Sequence, residues 1–458
     1  MALTESQNSS RWERLQLAGF ARHVRAWLKD GSDRSIAQRM ASTAFLIRVF
    51  SAALIYLSQV FLARWIGTHE FGIYVYVWTW VLMIGDMADL GLATSAQRFI
   101  PQYASKSLDL LRGFLSRSRW IAAASATTIA CIGILLVRLL EPHLERDVLL
   151  PLSIACVALP FYSVMQMQDG IARSYNWIPL ALLPPYVVRH VVMLILVLVA
   201  FLLGFPTNAE TVVTAVAVAL ALTVFGQTLV LNRKLKPMVP PGPKTTEPKT
   251  WFSVSLPILM VEGFYVLLTN TDILVLQQLR GSHDVAVYYA AAKTLALIAF
   301  VHFAVSAAVA HRFSEYHVTD DRERLRQILL DSIRWTFWAS LASCAVILAL
   351  GQPLLWLFGS QFVSGYHLMF ILAVGLMARS ACGPVERLLS MLGEQRICAA
   401  VYAAAFVINL VLCIVLIPRM GVEGAALATS TALIIETVLL FFVTRRRLGF
   451  HVFIWGRS

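Results

Sequence analysis

Charged residues are scarce in this chain of 458 residues. Asp, Glu, Lys and Arg together make up 14% of it, whereas hydrophobic residues make up 58%. An average soluble domain is roughly one quarter charged. So few polar side chains could not cover the surface of a soluble protein of this length, and a disordered chain would be far less apolar. The composition therefore excludes an ordinary soluble enzyme and favours a polytopic membrane protein.

Motifs for nucleotide hydrolysis, zinc proteolysis and thiolate chemistry are also absent. The chain has no GxxxxGK[ST] loop, and His69-Glu70 is not followed by the second histidine of a zinc-protease helix. None of the six cysteines forms a CxxC pair, so we interpret them as small core residues. His190 and His302 are isolated within apolar runs, which favours packed side chains over a proton relay. We predict no metal, no cofactor and no enzymatic activity.

Long apolar runs dominate the chain, and each run of about 18 residues or more can cross a bilayer as a helix. The runs are evenly spaced and joined by short loops, without the alternating strands of about ten residues found in a membrane barrel. Because helices satisfy their own backbone hydrogen bonds in lipid, the pattern predicts an all-α polytopic membrane protein. Twelve transmembrane helices are predicted, at 41–63, 71–96, 118–138, 148–168, 178–203, 211–231, 251–276, 286–311, 333–350, 362–385, 397–417 and 422–444.

The distribution of Lys and Arg predicts the orientation of the bundle. With the N-terminus inside, 29 of the 38 basic residues lie in cytoplasmic segments, five in outer loops and four within spans. Since basic loops stay in the cytoplasm, both termini are predicted inside. The same bias accounts for the net charge of +12, so we predict no nucleic-acid partner. Residues 1–40 place apolar side chains at helical spacing beside arginines, which favours a basic helix lying on the inner leaflet; a disordered tail is the alternative.

The chain contains an internal repeat with a period of about 214 residues. The matching segments are 67–74 (GTHEFGIY) with 281–288 (GSHDVAVY), 98–99 with 312–313, 119–120 with 334–335, and 233–235 with 446–448. Each half holds six predicted spans, and this even number gives both halves the same orientation. The predicted organisation is a lobe at 41–231, a Pro/Lys-rich cytoplasmic linker at 232–250, a second lobe at 251–448 and a cytoplasmic tail at 449–458. Two lobes of like orientation around a central cavity are typical of alternating-access transporters.

Basic residues within the spans are candidates for function because charge is costly at that depth. Four cations fall there, two in each lobe: Arg48, Arg189, Lys293 and Arg379. If these side chains face one cavity, they would attract a large anion. Phosphate esters and pyrophosphates fit, because the guanidinium group matches phosphate oxygens with two parallel hydrogen bonds.

Acidic residues within the spans have two interpretations. Asp86 and Asp89 share a helix face, and pairing with Arg48 is as plausible as a role in coupling. Glu262 lies near the middle of its span without an obvious partner, so it is the better candidate for proton or cation coupling. Asp272 is a weaker candidate of the same kind, as is Glu436.

Three segments resemble the polysaccharide-transport flippases, a family of the multidrug, oligosaccharidyl-lipid and polysaccharide exporter superfamily. Residues 89–103 (DLGLATSAQRFIPQY) resemble the end of the second span in that family. Residues 272–276 (DILVL) and 287–293 (VYYAAAK) resemble its seventh and eighth spans, and residues 418–429 (PRMGVEGAALAT) resemble its penultimate-loop signature. The resemblance covers about residues 41–448. Some members have fourteen spans instead of twelve, and the related lipid-linked-precursor flippases carry cavity cations in the spans of Arg48 and Lys293.

The resemblance implies a flippase that moves polyprenyl-pyrophosphate-linked oligosaccharides from the inner to the outer leaflet of a bacterial plasma membrane by alternating access. Its expected partners are the lipid-linked substrate, membrane lipids, and polysaccharide polymerases or glycosyltransferases. One alternative is a multidrug/cation antiporter on the same fold, against which the cation Arg48 argues. A membrane-embedded glycan polymerase or ligase is the other, and the short outer loops argue against it.

Overall fold

The computed structural model describes residues 33–302, 305–306, 309, 316, 322–449 and 453–454. Within these residues the regular secondary structure is entirely helical. Most of the predicted surface helix at 1–40 lies outside the described residues. The same is true of most of residues 303–311, which form the second part of the predicted span 286–311.

The helices of the N-terminal half follow the predicted apolar runs. They are α1 (Asp33–Ala88), α2 (Leu92–Lys106), α3 (Leu108–Leu139), α4 (Arg146–Ser174), α5 (Ile178–Leu183), α6 (Arg189–Leu202) and α7 (Ala209–Leu235). A single 3₁₀ turn, Glu141–His143, precedes α4, and a π-helical turn, Pro184–Val188, joins α5 to α6. Two consecutive prolines start this turn, where they remove two backbone donors and so disfavour regular α-helical bonding.

The helices of the C-terminal half begin after the proline-rich linker. They are α8 (Pro248–Arg280), α9 (Ser282–Leu295), α10 (Arg322–Ala349), α11 (Gly351–Trp356), α12 (Tyr366–Ser380), α13 (Val385–Met391), α14 (Gln395–Met420) and α15 (Val422–Leu448). Two 3₁₀ turns, Ala296–Ile298 and Ser360–Gly365, follow α9 and precede α12.

Two glycines at equivalent positions of the internal repeat adopt the same unusual backbone conformation. Gly67 has φ 80° and ψ 173°, and Gly281 has φ 87° and ψ 179°. Both lie at positive φ, which glycine adopts without the steric penalty of a side chain. Gly281 separates α8 from α9, whereas Gly67 lies inside the helix that is recorded as α1. The two halves therefore make the same turn at the same place in the repeat.

Eleven helices in the described part of the chain are long and apolar enough to cross a membrane. The first, Thr43–Lys106, covers both of the first two predicted spans and contains the break at Gly67. Each of the other ten corresponds to one predicted span. The difference from the predicted count of twelve thus lies in this one helix. The chain is a multi-pass membrane protein, and large apolar side chains lie exposed along the outer faces of its helices, where lipid would cover them.

The bundle has two ends that can be told apart by their connections. We call the end at which α7 ends and α8 begins the linker end. The opposite end, where α8 meets α9 at Gly281, is called the far end. The ion pair between Arg447 and Glu394 (4.0 Å) brings the end of α15 next to the start of α14.

At the far end the two halves of the chain are in direct contact. Arg64 donates hydrogen bonds to the carbonyl oxygens of Leu357 (2.6 Å) and Trp356 (2.7 Å). Thr68 donates to the amide oxygen of Gln361 at 2.6 Å. These bonds join α1 to the end of α11 and to the segment that follows it, so they close this end of the bundle.

Aromatic rings fill the space below these polar contacts. The buried ring of Phe71 lies 6.0 Å from Tyr289, 6.2 Å from Phe358 and 6.0 Å from Phe362, measured between ring centroids. Phe71 belongs to the N-terminal half and its three partners to the C-terminal half. The far end is therefore sealed by apolar packing as well as by hydrogen bonds.

Candidate functional site

A cavity lies between the two halves, towards the linker end. It consists of two adjoining compartments of about 270 Å³ and 540 Å³, which share Thr94, Glu262 and Tyr265. The N-terminal half contributes side chains from α1, α2, α4 and the π-helical turn. The C-terminal half contributes side chains from α8, α13 and α14. The charged residues among the lining are Asp86, Asp89, Asp169, Arg173, Glu262, Glu386 and Arg387.

The break between α1 and α2 shapes one wall of this cavity. Leu90 and Gly91 both have positive φ, at 57° and 74°. The carboxylate of Asp89 accepts hydrogen bonds from the backbone N–H of Gly91 (2.9 Å) and of Ala93 (3.1 Å). A side chain at position 91 would collide with the backbone of Ser255 on α8, so glycine allows the two helices to approach closely here. Asp89 thus caps the start of α2 and positions the wall.

Asp86 lies one turn earlier and is held by α4. Its Oδ1 accepts hydrogen bonds from the hydroxyl of Tyr162 and from the amide of Gln166, both at 2.9 Å. The negative charges of Asp86 and Glu262 also act on each other across the cavity. The cavity therefore contains a concentration of negative charge contributed by both halves.

Arg173 and Asp169 form a two-fold hydrogen-bonded pair on α4. The guanidinium of Arg173 donates to the two carboxylate oxygens of Asp169 at 2.9 and 2.7 Å. This geometry is the strongest form of Arg–carboxylate contact. The pair lies at the linker end of α4, and both of its residues line the cavity.

Glu262 connects the two halves of the chain. Its Oε1 accepts a hydrogen bond from the hydroxyl of Thr94 at 2.9 Å, so α8 and α2 are joined across the cavity. The positive charges of Arg173 and Arg387 both act on Glu262. Glu262 is thus a carboxylate with a hydroxyl partner and two cations nearby, placed at a contact between the two halves.

Arg387 is less constrained by neighbouring protein groups than Arg173, the other arginine that lines the cavity. Its side chain is exposed, and within the described part of the chain it makes no hydrogen bond or ion pair. It lies 214 residues after Arg173, which is the period of the internal repeat. Each half therefore places one arginine on the wall at the equivalent position, but among the described residues only that of the N-terminal half is paired with a carboxylate.

Arg379 is surrounded by acidic groups beside the cavity. It contacts Glu386 at 3.4 Å and Glu436 at 3.9 Å, and its guanidinium lies over the ring of Tyr265 at 5.3 Å. His302 contacts the same carboxylate of Glu386 at 3.2 Å. Because the side chain of Glu436 is 0% exposed, its charged form depends on Arg379.

The other predicted cations are dispersed. Arg48 lies over the ring of Tyr186, a cavity-lining residue, at 4.1 Å, and its charge acts on Asp169. The structure thus places Arg48 and Arg379 against the cavity lining from opposite halves.

Arg189 and Lys293 do not join them. Arg189 is only 9% exposed and lies over the ring of Trp78 within the N-terminal half. Lys293 is exposed, and its ammonium group lies over the ring of Tyr289 at 5.2 Å.

Asp272 is separate from the cavity lining. It is buried and accepts hydrogen bonds from the hydroxyl of Tyr288 (2.5 Å), the hydroxyl of Thr429 (2.9 Å) and the N–H of Ile273 (2.9 Å). These contacts join α8, α9 and α15. Its surroundings are those of a residue that holds helices together.

Several cavity residues were not predicted from the sequence. Arg173 and Arg387 lie just beyond the predicted spans 148–168 and 362–385, so they count among the 29 basic residues predicted to be cytoplasmic. Their 214-residue separation nevertheless identifies them as an equivalent pair in the internal repeat. Asp169 stands four residues before Arg173, a spacing that places both on one face of a helix. The contribution of Glu386 had no signal in the sequence, since it follows from the helix break at Gly383, where φ is 60°.

Comparisons with known proteins agree with this architecture. The sequence pattern described as "Polysaccharide biosynthesis protein" matches residues 39–317, more than half of the chain. The chain belongs to this family. A second sequence pattern, MatE, matches residues 257–415 of this chain.

A curated relative of this family member is the probable low-salt glycan biosynthesis flippase Agl15 of Haloferax volcanii. It is 20% identical over 414 residues, which cover 88% of this chain and 82% of the relative.

Two solved structures share the fold. One is the lipid II flippase MurJ in an inward closed conformation, with a TM-score of 0.73 and 17% identity over 88% of this chain and 87% of MurJ. The other is a multidrug resistance MATE family transporter in an inward-facing conformation, with a TM-score of 0.73 and 15% identity over 88% of this chain and 98% of that protein. At such identities the likeness demonstrates a common fold.

Proposed function

We propose that the protein is a flippase that moves polyprenyl-pyrophosphate-linked oligosaccharides from the inner to the outer leaflet of a bacterial plasma membrane, for surface polysaccharide biosynthesis. Membership of the polysaccharide biosynthesis family supports this proposal, as does a relative named as a glycan biosynthesis flippase. The protein would act as a transporter without a chemical step of its own. Glycosyltransferases would supply its substrate and a polymerase would consume its product.

The proposed mechanism is alternating access by two lobes, 41–231 and 251–448. We place the linker and both termini in the cytoplasm because the basic residues lie there. The cavity would then open to the cytoplasmic leaflet, and the contacts at the far end would close the outer side. The pyrophosphate and sugars would enter the cavity while the prenyl chain remains in lipid. Rocking of the lobes would break the far-end contacts and expose the head group outside.

The environment of Arg387 is the observation that best supports a pyrophosphate-linked substrate. It lies on the cavity wall, and no carboxylate in the described part of the chain forms an ion pair with it. A guanidinium group in this position can donate two hydrogen bonds to a pyrophosphate. We propose that Arg387 receives the pyrophosphate, with Arg48 and Arg379 adding positive potential from opposite halves. Arg189 and Lys293 remain weaker candidates for substrate binding, because neither of them lines the cavity.

A cation antiporter is the second candidate, and the acidic lining of the cavity favours it. Asp86, Asp89, Asp169, Glu262 and Glu386 all line the cavity. Each of them, however, already accepts a hydrogen bond from a neighbouring protein group. We propose that Asp169 positions Arg173 and that Glu386 positions Arg379, whereas Asp86 and Asp89 hold the helices of the cavity wall. Glu262 is the coupling candidate, since it also joins the two halves.

The test compares variants at Arg387 in proteoliposomes. The substrate is a polyprenyl-pyrophosphate glycan that carries a fluorophore quenched by an impermeant reductant added outside. We expect Arg387→Glu to abolish flipping, because it puts a negative charge where the pyrophosphate binds. Arg387→Lys should retain part of the activity, because it keeps the charge but loses the two-fold hydrogen bonding. Arg396→Gln, which changes an exposed arginine at the start of α14, is the matched control and should flip normally.

The outcomes separate the two candidate functions. Normal flipping by well-folded Arg387→Glu would refute the role of Arg387. Absence of flipping by the parent protein, combined with proton-driven efflux of a cationic dye, would support the antiporter instead. In cells, deletion of the gene should leave the lipid-linked glycan on the cytoplasmic leaflet.

A further inference from the structure

A second concave site lies on the other side of α4 from the central cavity. Residues Gln166 and Arg173 of α4 face the central cavity, whereas Val164 and Gln168 face this second site, as expected from the angle of 100° between successive helical residues. Its volume is about 590 Å³. We call it the linker groove. It is lined by Arg112, Leu115, Ser116, Arg119, Trp120, Ala123, Val164, Gln168, Thr228, Asn232, Leu235, Lys236, Val239, Pro240, Pro241, Gly242 and Lys244.

The linker groove has a floor, two walls and a roof. α4 forms the floor because it packs against both α3 and α7, which form the walls. The proline-rich segment 239–244 forms the roof. Arg112 on α3 holds the roof by donating a hydrogen bond to the carbonyl oxygen of Pro240 at 2.7 Å, and Lys244 on the linker contacts the hydroxyl of Ser116 at 3.3 Å.

Four cations face the linker groove: Arg112, Arg119, Lys236 and Lys244. Arg112 is paired with the neighbouring carboxylate of Asp109, which leaves an excess of positive charge. Arg119 is fixed across the groove, because it donates to the side-chain oxygen of Asn232 on α7 at 2.8 Å. The two lysines are exposed and make no ion pair with the described residues. The groove therefore combines two positioned guanidinium groups with two lysine ammonium groups that form no ion pair with the described residues.

The floor contains a buried polar atom that lacks a partner. Gln168 is 1% exposed, and its amide nitrogen donates to the hydroxyl of Thr228 at 2.6 Å. Its amide oxygen has no hydrogen-bond partner in the described part of the chain. Buried polar groups of this kind are normally satisfied, so the floor beneath the groove retains one unused hydrogen-bond acceptor.

The rim of the linker groove faces lipid. Trp120 on α3 is 70% exposed, and Phe225 and Leu229 on α7 are also exposed. Tryptophan is enriched at the level of lipid head groups. A lipid could therefore lay its chains along these apolar side chains while its head group enters under the linker.

We propose that the linker groove binds the phosphate head group of an anionic phospholipid, such as phosphatidylglycerol, from the leaflet at the linker end. Basic pockets between transmembrane helices are suited to anionic head groups. The bound phosphate would bridge the linker lysines and the arginines of α3, and so would fasten the linker to the N-terminal half. This lipid is a resident of the groove and differs from the transported substrate, so the inference stands apart from the proposed function.

Binding is tested on the delipidated full-length protein in detergent by native mass spectrometry. Dioleoyl-phosphatidylglycerol is titrated against dioleoyl-phosphatidylcholine, and soluble glycerol 3-phosphate is used as the free phosphate. We expect selective binding of phosphatidylglycerol. The double variant Lys236→Gln/Lys244→Gln should weaken it about 30-fold, at about a factor of five for each cation removed. Both lysines are exposed, so this variant should fold normally.

The matched control is the double variant Arg117→Gln/Arg233→Gln, which removes the same charge from exposed positions outside the groove lining. Its affinity for phosphatidylglycerol should lie within a factor of about three of that of the parent protein, because these charges are screened by solvent. Equal affinity in the lysine variant and the parent would overturn the proposal. Equal binding of phosphatidylcholine would also overturn it. Glycerol 3-phosphate binding as tightly as the lipid would show that the groove takes a soluble phosphate instead.

Discussion

Arg64 offers a direct test of whether the far-end contacts control opening. Its guanidinium donates to two backbone carbonyls, of Leu357 and Trp356, and lies 4.8 Å from the centre of the Trp356 ring. Hydrogen bonds from charged donors contribute about 1.5–3 kcal/mol each when they are shielded from water. Arg64 is exposed, so we reduce its total contribution to about 1–2 kcal/mol. Arg64→Gln should therefore raise the population of molecules open at the far end about 5- to 30-fold.

This population can be measured through a buried reporter. Thr294 is 0% exposed and contacts Tyr56 of the opposite half at 3.1 Å. A Thr294→Cys reporter would react with a soluble maleimide only when the halves separate, so its labelling rate follows the open population. The exposed Cys131 is first replaced by serine, since the other cysteines are buried. We expect Arg64→Gln to raise the labelling rate of the reporter 5- to 30-fold over the same reporter with Arg64 present.

Arg138→Gln serves as the control, because it removes another exposed arginine near the end of α3. It should leave the labelling rate unchanged. The reasoning fails if Arg64→Gln labels at the parent rate, or if Arg138→Gln accelerates labelling as much as Arg64→Gln does.

Two further predictions concern contacts that hold the helices together. Gly72→Ala should lower the melting temperature, because the added methyl group would collide with the backbone of Ser282 in the other half. Gly226→Ala is the control and should be neutral or slightly stabilising, because no atom lies close to this position. Equal melting temperatures of the two variants would contradict this reasoning. Asp272→Ala should destabilise the protein by several kcal/mol, at about 1–3 kcal/mol for each donor left without an acceptor, while Asp272→Asn should cost less because it keeps one oxygen. Melting of Asp272→Ala at the parent temperature would show that these donors find other partners.

The internal repeat shows how far a sequence pattern can predict conformation. The match between 67–74 and 281–288 predicted equivalent segments, and the structure gives Gly67 and Gly281 almost the same dihedral angles. The same repeat relates Arg173 to Arg387, but their environments differ. Position 169 supplies a carboxylate to Arg173, and the position 214 residues later is Gly383. A repeat therefore predicts where a side chain is placed more reliably than which partner it has.

Breaks within helices explain why the lining of the cavity was only partly predicted. Hydropathy locates a span but is insensitive to a turn such as Leu90–Gly91. In this turn the side chain of Asp89 accepts a hydrogen bond from the backbone N–H of Gly91. The π-helical turn Pro184–Val188 likewise lies inside one apolar run. Each break rotates the residues that follow it about the helix axis, so the side chains facing the cavity depend on tertiary structure.

The sequence by itself determined that the chain is a helical membrane protein, where its spans lie and that its two halves are related. These properties follow from the composition, because a bilayer requires long apolar segments whose backbone groups are satisfied within each helix. Tertiary structure alone decided which charges meet. It buried Arg189 against Trp78, surrounded Arg379 with carboxylates and left Arg387 available on the cavity wall. The physical reason is that electrostatic partners are selected by distances of a few ångströms between helices, and the rotation of each helix that sets those distances arises only when all of them pack together.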